Sequence, residues 1–265
     1  MENKIANTLF IPLVARIFAA EHFSEYFDDK TAVQLKDKIP QKFLKISSEY
    51  EIIASAARYH ISDKIIQQFI AKNGECNIIN LGAGLETVAF RINNANAVFY
   101  QMDLPEVIFL RQEVLSAKNN EIFISGSLLE TNWYAQVDTQ KPTLFVANGV
   151  LMYFHEAEIL HLIANLKKHF PKSELAFDAT TKFGIQCANF YVSRFGDEMA
   201  KMYFYIQNPV QFAQKTQTQL LNAQTFFTDA RRILGHRVNW VSKLNMWFVD
   251  TFHLSNIIHL SLNGV

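Results

Sequence analysis

From residue 77 onward, short apolar runs alternate with longer stretches whose apolar positions recur every three to four residues. The runs at 77–81, 97–102, 121–124, 144–147, 175–177 and 256–262 are too short for buried helices and read as strands. Between them, Ile159, Leu162, Ile163, Leu166 and Phe170 fall on one helical face, and Pro105 is placed to be the first residue of another helix. Short apolar strands separated by amphipathic helices predict a mostly parallel sheet covered on both faces. Residues 1 to about 72 show helical patterning and no convincing strand. One helix is expected to begin at Ser62-Asp63, a capping pair followed by Ile65, Ile66, Phe69 and Ile70. The rhythm breaks at about 182–224, where Tyr, Phe, Asn and Gln mix. This stretch reads as a helical insertion ahead of a helix ending near Gly235, and insertions after strands fall on the ligand-binding rim of such sheets.

Composition narrows the class. With 49% hydrophobic residues and 23 Phe against 9 Gly and 6 Pro in 265 residues, the chain predicts one domain with an aromatic interior. Within it, residues 1–72 form a helical cap and 73–265 the sheet core. Twenty-five basic and 25 acidic side chains cancel, so no broad attraction to nucleic acid or to an anionic membrane is implied. Cys76 and Cys187 make no C-x-x-C pair and read as reduced thiols. The apolar run from Leu9 to Ala20 is interrupted by Pro12 and Arg16 and is too short to span a bilayer. A cytoplasmic protein with a small-molecule partner is expected.

The chemistry concentrates at Asn80-Leu81-Gly82-Ala83-Gly84-Leu85-Glu86-Thr87. A strand, a glycine turn and a helix, followed by Asp103 at the end of the next strand, is the arrangement that binds adenosine-type ligands in open α/β sheets. The acid follows at roughly the expected ~20-residue distance. A dinucleotide fingerprint needs a third small residue, where this chain has the bulky Thr87. A phosphate loop needs Lys-Ser or Lys-Thr after its last glycine, where this chain has Leu85-Glu86. Glu86 would also repel a pyrophosphate at the helix N-terminus. A ligand with a cationic centre and no phosphate fits better, as in S-adenosyl-L-methionine (SAM).

Three blocks in this order resemble one family. Leu81-Gly82-Ala83-Gly84-Leu85-Glu86-Thr87, Met102-Asp103-Leu104-Pro105-Glu106-Val107-Ile108 and Ala147-Asn148-Gly149-Val150-Leu151-Met152-Tyr153 are similar to motifs of the leucine carboxyl methyltransferase and polyketide O-methyltransferase family. Ala57-Arg58-Tyr59 resembles its arginine ahead of the first strand. The resemblance implies a class I methyltransferase fold, Rossmann-like: a seven-stranded, mostly parallel sheet with an N-terminal helical cap and a helical insertion after the fifth strand. It further implies that Arg58 holds the SAM carboxylate, Gly82 and Gly84 admit the methionine portion, and Asp103 takes the ribose hydroxyls. Ser127 and Leu128 would lie over the adenine and Asn148 would complete the shell, with Ser127 standing where the family has Asp, Asn148 where it has Glu, and Glu86 where it has Asp.

Other chemistry fails on spacing. His155-Glu156 is followed by Ile159 where a zinc-binding helix needs histidine, and Ser125-Gly126-Ser127 is not a nucleophile elbow. Methyl transfer from SAM needs mainly alignment of an acceptor oxygen. A carboxylate acceptor is already ionised, whereas a phenol near pKa 10 calls for a base, with His155 the nearest motif-linked group. The expected activity is O-methyl transfer to a carboxylate or hydroxyl of a small polyketide-like metabolite. The alternative is a SAM-binding protein of the same fold impaired in catalysis. Tyr153 is the candidate catalytic residue at the floor of an acceptor pocket between cap and insertion. Phe183, Phe190, Tyr191, Phe195, Tyr203 and Phe204 would line that pocket, and Arg194 would be its anion-binding group.

Overall fold

The apolar runs become strands β1 (Cys76–Leu81), β2 (Ala97–Asp103), β3 (Glu121–Ser125), β4 (Thr143–Ala147), β5 (Ser173–Thr180), β6 (Gln219–Thr225) and β7 (Ser255–Ser261). They form one sheet in the order β3-β2-β1-β4-β5-β7-β6. β1 to β5 run parallel, and β7 is antiparallel to both of its neighbours. β1 and β4 are buried at every position, as central strands covered on two faces must be. The computed structural model describes residues 2–41, 48–194 and 201–263, with side chains for 9–41, 48–190 and 201–263.

Helices α1 (Glu2–His22), α2 (Lys30–Gln34) and α3 (Glu49–Asn73) precede the sheet. α4 (Val88–Ile92), α5 (Pro105–Val114) and α6 (Glu156–His169) link the strands, and α7 (Lys182–Arg194) and α8 (Pro209–Thr216) follow β5. α9 (Thr228–Leu234) and α10 (Trp240–Thr251) join β6 to β7. On one face, Ile53, Ala57, Ile66 and Phe69 of α3 pack on Ile78, Phe99 and Leu144. On the other, Ile159, Leu162, Ile163 and Leu166 of α6 pack with Phe145, Leu175 and Phe177. Side chains of this size each contribute about 1.5–3 kcal/mol on full burial. A third cluster joins Phe10, Leu13 and Ile17 of α1 to Leu35, Leu85 and Leu115, seating α1 on the loop that follows β1.

Two expectations change. The helix expected at Ser62-Asp63 starts at Glu49, because Ser48 and Glu51 form a capping box. Glu51 N donates to Ser48 Oγ at 3.3 Å, and Ser48 N donates to Glu51 Oε2 at 2.8 Å. Ser62 is therefore mid-helix and buried, while Asp63 receives Arg91. The insertion is helical at α7 and α8 but ends in the edge strand β6. Gln219, Asn222 and Gln224 give that strand no apolar alternation, because most of it faces solvent. Among the described residues, no helix is long and apolar enough to cross a membrane.

Candidate active site

The chain leaves β1 through Gly82 (φ 68°) and Gly84 (φ 50°), left-handed conformations that glycine adopts without a Cβ penalty. At Gly82 there is also no space. A Cβ there would lie 2.4 Å from Cγ2 of Val150, which follows β4. Gly82→Ala should therefore destabilise the chain by about 1–3 kcal/mol, the usual cost of overpacking. Urea denaturation would check this, and an unshifted midpoint would mean that Val150 gives way. At Gly84 a Cβ would meet Leu9 Cδ2 of α1 at 3.2 Å.

Asp103, at the end of β2, is bonded to this loop. Gly84 N donates to Asp103 Oδ2 at 2.7 Å, and Leu104 N donates to Oδ1 at 2.8 Å. The residue preceding α5 is Leu104, and it makes no side-chain cap, so Asp103 staples the two strand ends rather than capping the helix. Burial pushes its carboxyl above the usual range, opposed by the two amide bonds. Each oxygen accepts one N–H here, which leaves lone pairs on both for a ligand's hydroxyls.

Two fully buried arginines hold the loop by its carbonyls. Arg16 Nη2 donates to Leu85 O at 2.6 Å, and Arg111 Nη1 donates to Gly84 O at 3.0 Å. Arg111 also meets Glu121 Oε1 at 2.9 Å. The same oxygen takes Gln101 Nε2 at 2.9 Å, and Gln101 Oε1 takes Asn80 Nδ2 at 2.9 Å. A polar chain thus crosses β1, β2 and β3 under the loop.

Arg16 belongs to a second network with Asp29 (2.8 Å), Thr87 (2.7 Å), Glu86 (3.5 Å) and, through Glu86, Arg91 (2.6 Å). Arg91 makes a two-pronged bond to Asp63 at 2.8 Å on each prong. Burial pushes the Glu86 and Asp29 carboxyls up. The guanidiniums of Arg91 and Arg16 prevail and hold both below the usual range. The charge of Glu86 is thus paired inside the protein with Arg91 and Arg16, which weakens it as a barrier to a pyrophosphate, and the bulky Thr87 is buried beside it. Neither Arg16 nor Arg111 was a sequence candidate. For Arg16 the available signal was a lone charge inside the apolar run from Leu9 to Ala20, whereas Arg111 sits among Glu106 and Glu113 and carried no such signal.

Across the switch point between β1 and β4, a parallel set forms. Arg58 Nη2 lies 3.1 Å from Asp178 Oδ2 on β5, and Asp178 Oδ1 accepts Gly149 N at 2.5 Å. Burial opposes the Arg58 charge, yet Asp178 keeps its pKa above the usual value, aided by Tyr59 and Tyr153 nearby. Gly149 (φ 71°) leaves room for this guanidinium, since a Cβ would stand 3.0 Å from Nη1. Asn148 Oδ1 accepts Ser62 Oγ at 2.9 Å, leaving its amide hydrogens available. Asp178 is a further site residue missed in the sequence, hidden within an apolar strand.

Gly126 N donates to Asp103 O at 2.9 Å, which brings Ser127 and buried Leu128 beside the end of β2. Ser127 Oγ accepts Leu129 N at 3.3 Å. Tyr153 ends a short 3-10 turn, Leu151–Tyr153. The insertion is tied to the same turn, because Met152 O accepts Tyr203 N at 2.7 Å. His155 is exposed at the start of α6 with its ring 4.4 Å from that of Tyr203. Of the insertion's aromatics, Phe204 joins the core beside Phe212, while Phe183, Phe190 and Tyr203 are exposed. Phe195 and the side chains of Tyr191 and Arg194 lie outside what the structure describes.

The carboxyl ends of the strands, with Arg58 reaching across from α3, therefore bring Arg58, Gly82, Gly84, Asp103, Ser127, Leu128 and Asn148 to the rim where ligands of open α/β folds bind. The free lone pairs of Asp103 and the unpartnered Nε of Arg58 suit a ligand bearing a diol and a carboxylate, as SAM does.

Comparison with known proteins identifies the family and the fold. A tetracenomycin polyketide synthesis O-methyltransferase, TcmP of Streptomyces glaucescens, is 26% identical over 190 residues, 70% of each chain. An S-adenosyl-L-methionine-dependent methyltransferase, dpfgK of Gibberella zeae, is 23% identical and covers 95% of this chain and 91% of its own. Among solved structures, a DUF574 family protein from Streptomyces avermitilis superposes with a TM-score of 0.60 at 11% identity, over 93% of this chain and 96% of that one. The magnesium protoporphyrin IX methyltransferase of Synechocystis with bound SAM gives 0.51 at 11% identity over the same shares. The sheet is thus that of the class I SAM-dependent methyltransferases. The family profile of leucine carboxyl methyltransferases matches residues 1–167, well over half of the sequence, and the chain belongs to that family of SAM-dependent enzymes.

Proposed function

We propose that the protein transfers a methyl group from SAM to an oxygen, a carboxylate or a hydroxyl, of a small polyketide-like acceptor. The observation that carries the reading is the pairing of the Gly84 amide with Asp103 at 2.7 Å beside the Arg58–Asp178 pair, on a chain 26% identical to a polyketide O-methyltransferase. SAM supplies an activated sulfonium methyl group. Asp103 accepts the ribose hydroxyls, Arg58 pairs with the carboxylate, and the backbone at Gly82 and Gly84 gives the methionine portion a close approach. Ser127, Leu128 and Asn148 complete the shell toward the adenine.

The acceptor pocket lies between the cap and the insertion, with Tyr153 at its floor. Tyr153 lies within electrostatic reach of Arg58. The hydroxyl of Tyr153 orients the acceptor, and rate comes chiefly from alignment of the oxygen with the sulfonium carbon.

A panel of aromatic carboxylates and phenols, incubated with methyl-labelled SAM, tests the reading. Label should pass to an oxygen, and mild alkali separates labile esters from stable ethers. Tyr153→Phe should lower turnover with SAM affinity unchanged. Label on nitrogen, or saturable SAM binding with no transfer to any acceptor, would overturn it. The second outcome would point to a binding protein impaired in catalysis. Nicotinamide dinucleotide should not raise the melting temperature, whereas SAM at about 100 times its dissociation constant should add ~2.7 kcal/mol.

A further inference from the structure

Helix α10 turns most of its large apolar side chains outward. Ser242, Met246 and Asp250 turn inward, where the helix packs against α3 and α9. On the opposite arc, Trp240, Val241, Leu244, Trp247, Phe248 and the following Phe252 are each between 42% and 73% exposed. At 3.6 residues per turn these positions make one continuous stripe, with the exposed Lys243 and Asn245 on its two borders. A surface helix ordinarily turns its apolar stripe toward the core, and this one turns it to solvent. Aromatic side chains present about 150–250 Å² each, so the stripe leaves roughly 600 Å² of apolar surface uncovered, the upper end for the largest patch on a monomer.

We infer that this face is the twofold interface of a homodimer, in which α10 of one copy packs antiparallel on α10 of another. Pairing two such stripes buries roughly 1,200 Å², the lower bound for a stable specific interface. The stripe also matches itself. Trp240 and Phe252 are equally distant in sequence from Met246, as are Leu244 and Phe248. An antiparallel partner therefore sets aromatic against aromatic and Leu244 against Phe248, as an isologous contact requires. Lys243 is the only charged side chain on the exposed surface of the helix, so self-association brings no dense field of like charge together. A membrane-surface helix would need a polar flank rich in lysine and arginine, and this flank carries one lysine.

Sedimentation velocity on the full chain across micromolar concentrations tests the proposal. The expected species has twice the 30.5 kDa chain mass. Leu244→Lys and Trp247→Glu should each weaken the dimer by about 30-fold or more, the scale of an interface hot spot. Far-ultraviolet circular dichroism and SAM affinity should stay unchanged. Phe109→Glu, at an equally exposed apolar position on α5, should leave the dimer intact. Val241→Lys, on the same arc, serves if either variant loses its helical signal. A chain monomeric at every concentration, or a dimer indifferent to all folded arc variants, overturns the proposal. So does a monomeric wild type that sediments with phosphatidylcholine–phosphatidylserine vesicles, which would assign the arc to lipid.

Discussion

Replacing Arg16 with methionine should destabilise the protein by about 3–5 kcal/mol, the cost of removing one partner from a buried ion pair. Methionine keeps much of the length and apolar volume, so the loss reports the charge and its bonds. Asp29, at 0% exposure, would lose a 2.8 Å ion pair and keep one cationic partner, Arg91 at 3.1 Å, beside its neutral donors Thr87 Oγ1 and Ala32 N. Leu85 O would lose a charge-assisted donor at 2.6 Å. At about 2–4 °C per kcal/mol for a chain of this size, calorimetry should find a melting temperature lower by roughly 10 °C. A change within experimental scatter would mean that Arg91 alone satisfies both carboxylates. The depressed carboxyls of Asp29 and Glu86 add a pH signature. Their contribution is complete above the ordinary carboxylate pKa and disappears as pH falls through their lower folded values. The wild type should therefore lose more stability than Arg16→Met on acidification.

Asp103→Ala should weaken SAM binding by about 1.5–3 kcal/mol, the range for hydrogen bonds to a charged group, or roughly 10- to 150-fold. Calorimetric titration of the folded variant measures it directly, and unchanged affinity would reduce Asp103 to a staple for Gly84. The pH dependence has a definite sign. Burial raises the Asp103 carboxyl above its ordinary value, so affinity should be full above that raised pKa and fall as pH drops through it. In the alanine variant this limb should vanish.

The parts of the molecule that depend on local pattern were legible in the sequence. The alternation of apolar runs with the face made by Ile159, Leu162, Ile163 and Leu166 gave β1 to β5, β7 and α6, because burial on one or two sides imposes period. β6 was not legible. None of its side chains is buried and most face water, so burial imposes no period on Gln219, Asn222 and Gln224. At the site, Gly82, Gly84 and Asp103 were readable because a turn and a strand end constrain residue type locally. Arg16, Arg111 and Asp178 were not. Each acts on a partner distant in sequence, Arg16 on Leu85 and Asp178 on Arg58, and no spacing rule connects them. The start of α3 was misplaced for a simpler reason. Ser62-Asp63 has the composition of a cap, but the reciprocal pair Ser48 and Glu51 had already begun the helix.

α1 touches the glycine loop twice, through Leu9 against Gly84 and through Arg16 to Leu85 O. Any ligand that fixes that loop in place also fixes what the helix rests on. Docking of the N-terminal segment and occupancy of the site therefore share one coupling free energy, and linkage makes it reciprocal. What tightens one must tighten the other by the same factor. A helix that contributes no candidate group to the chemistry is thereby tied to whatever the glycine loop holds.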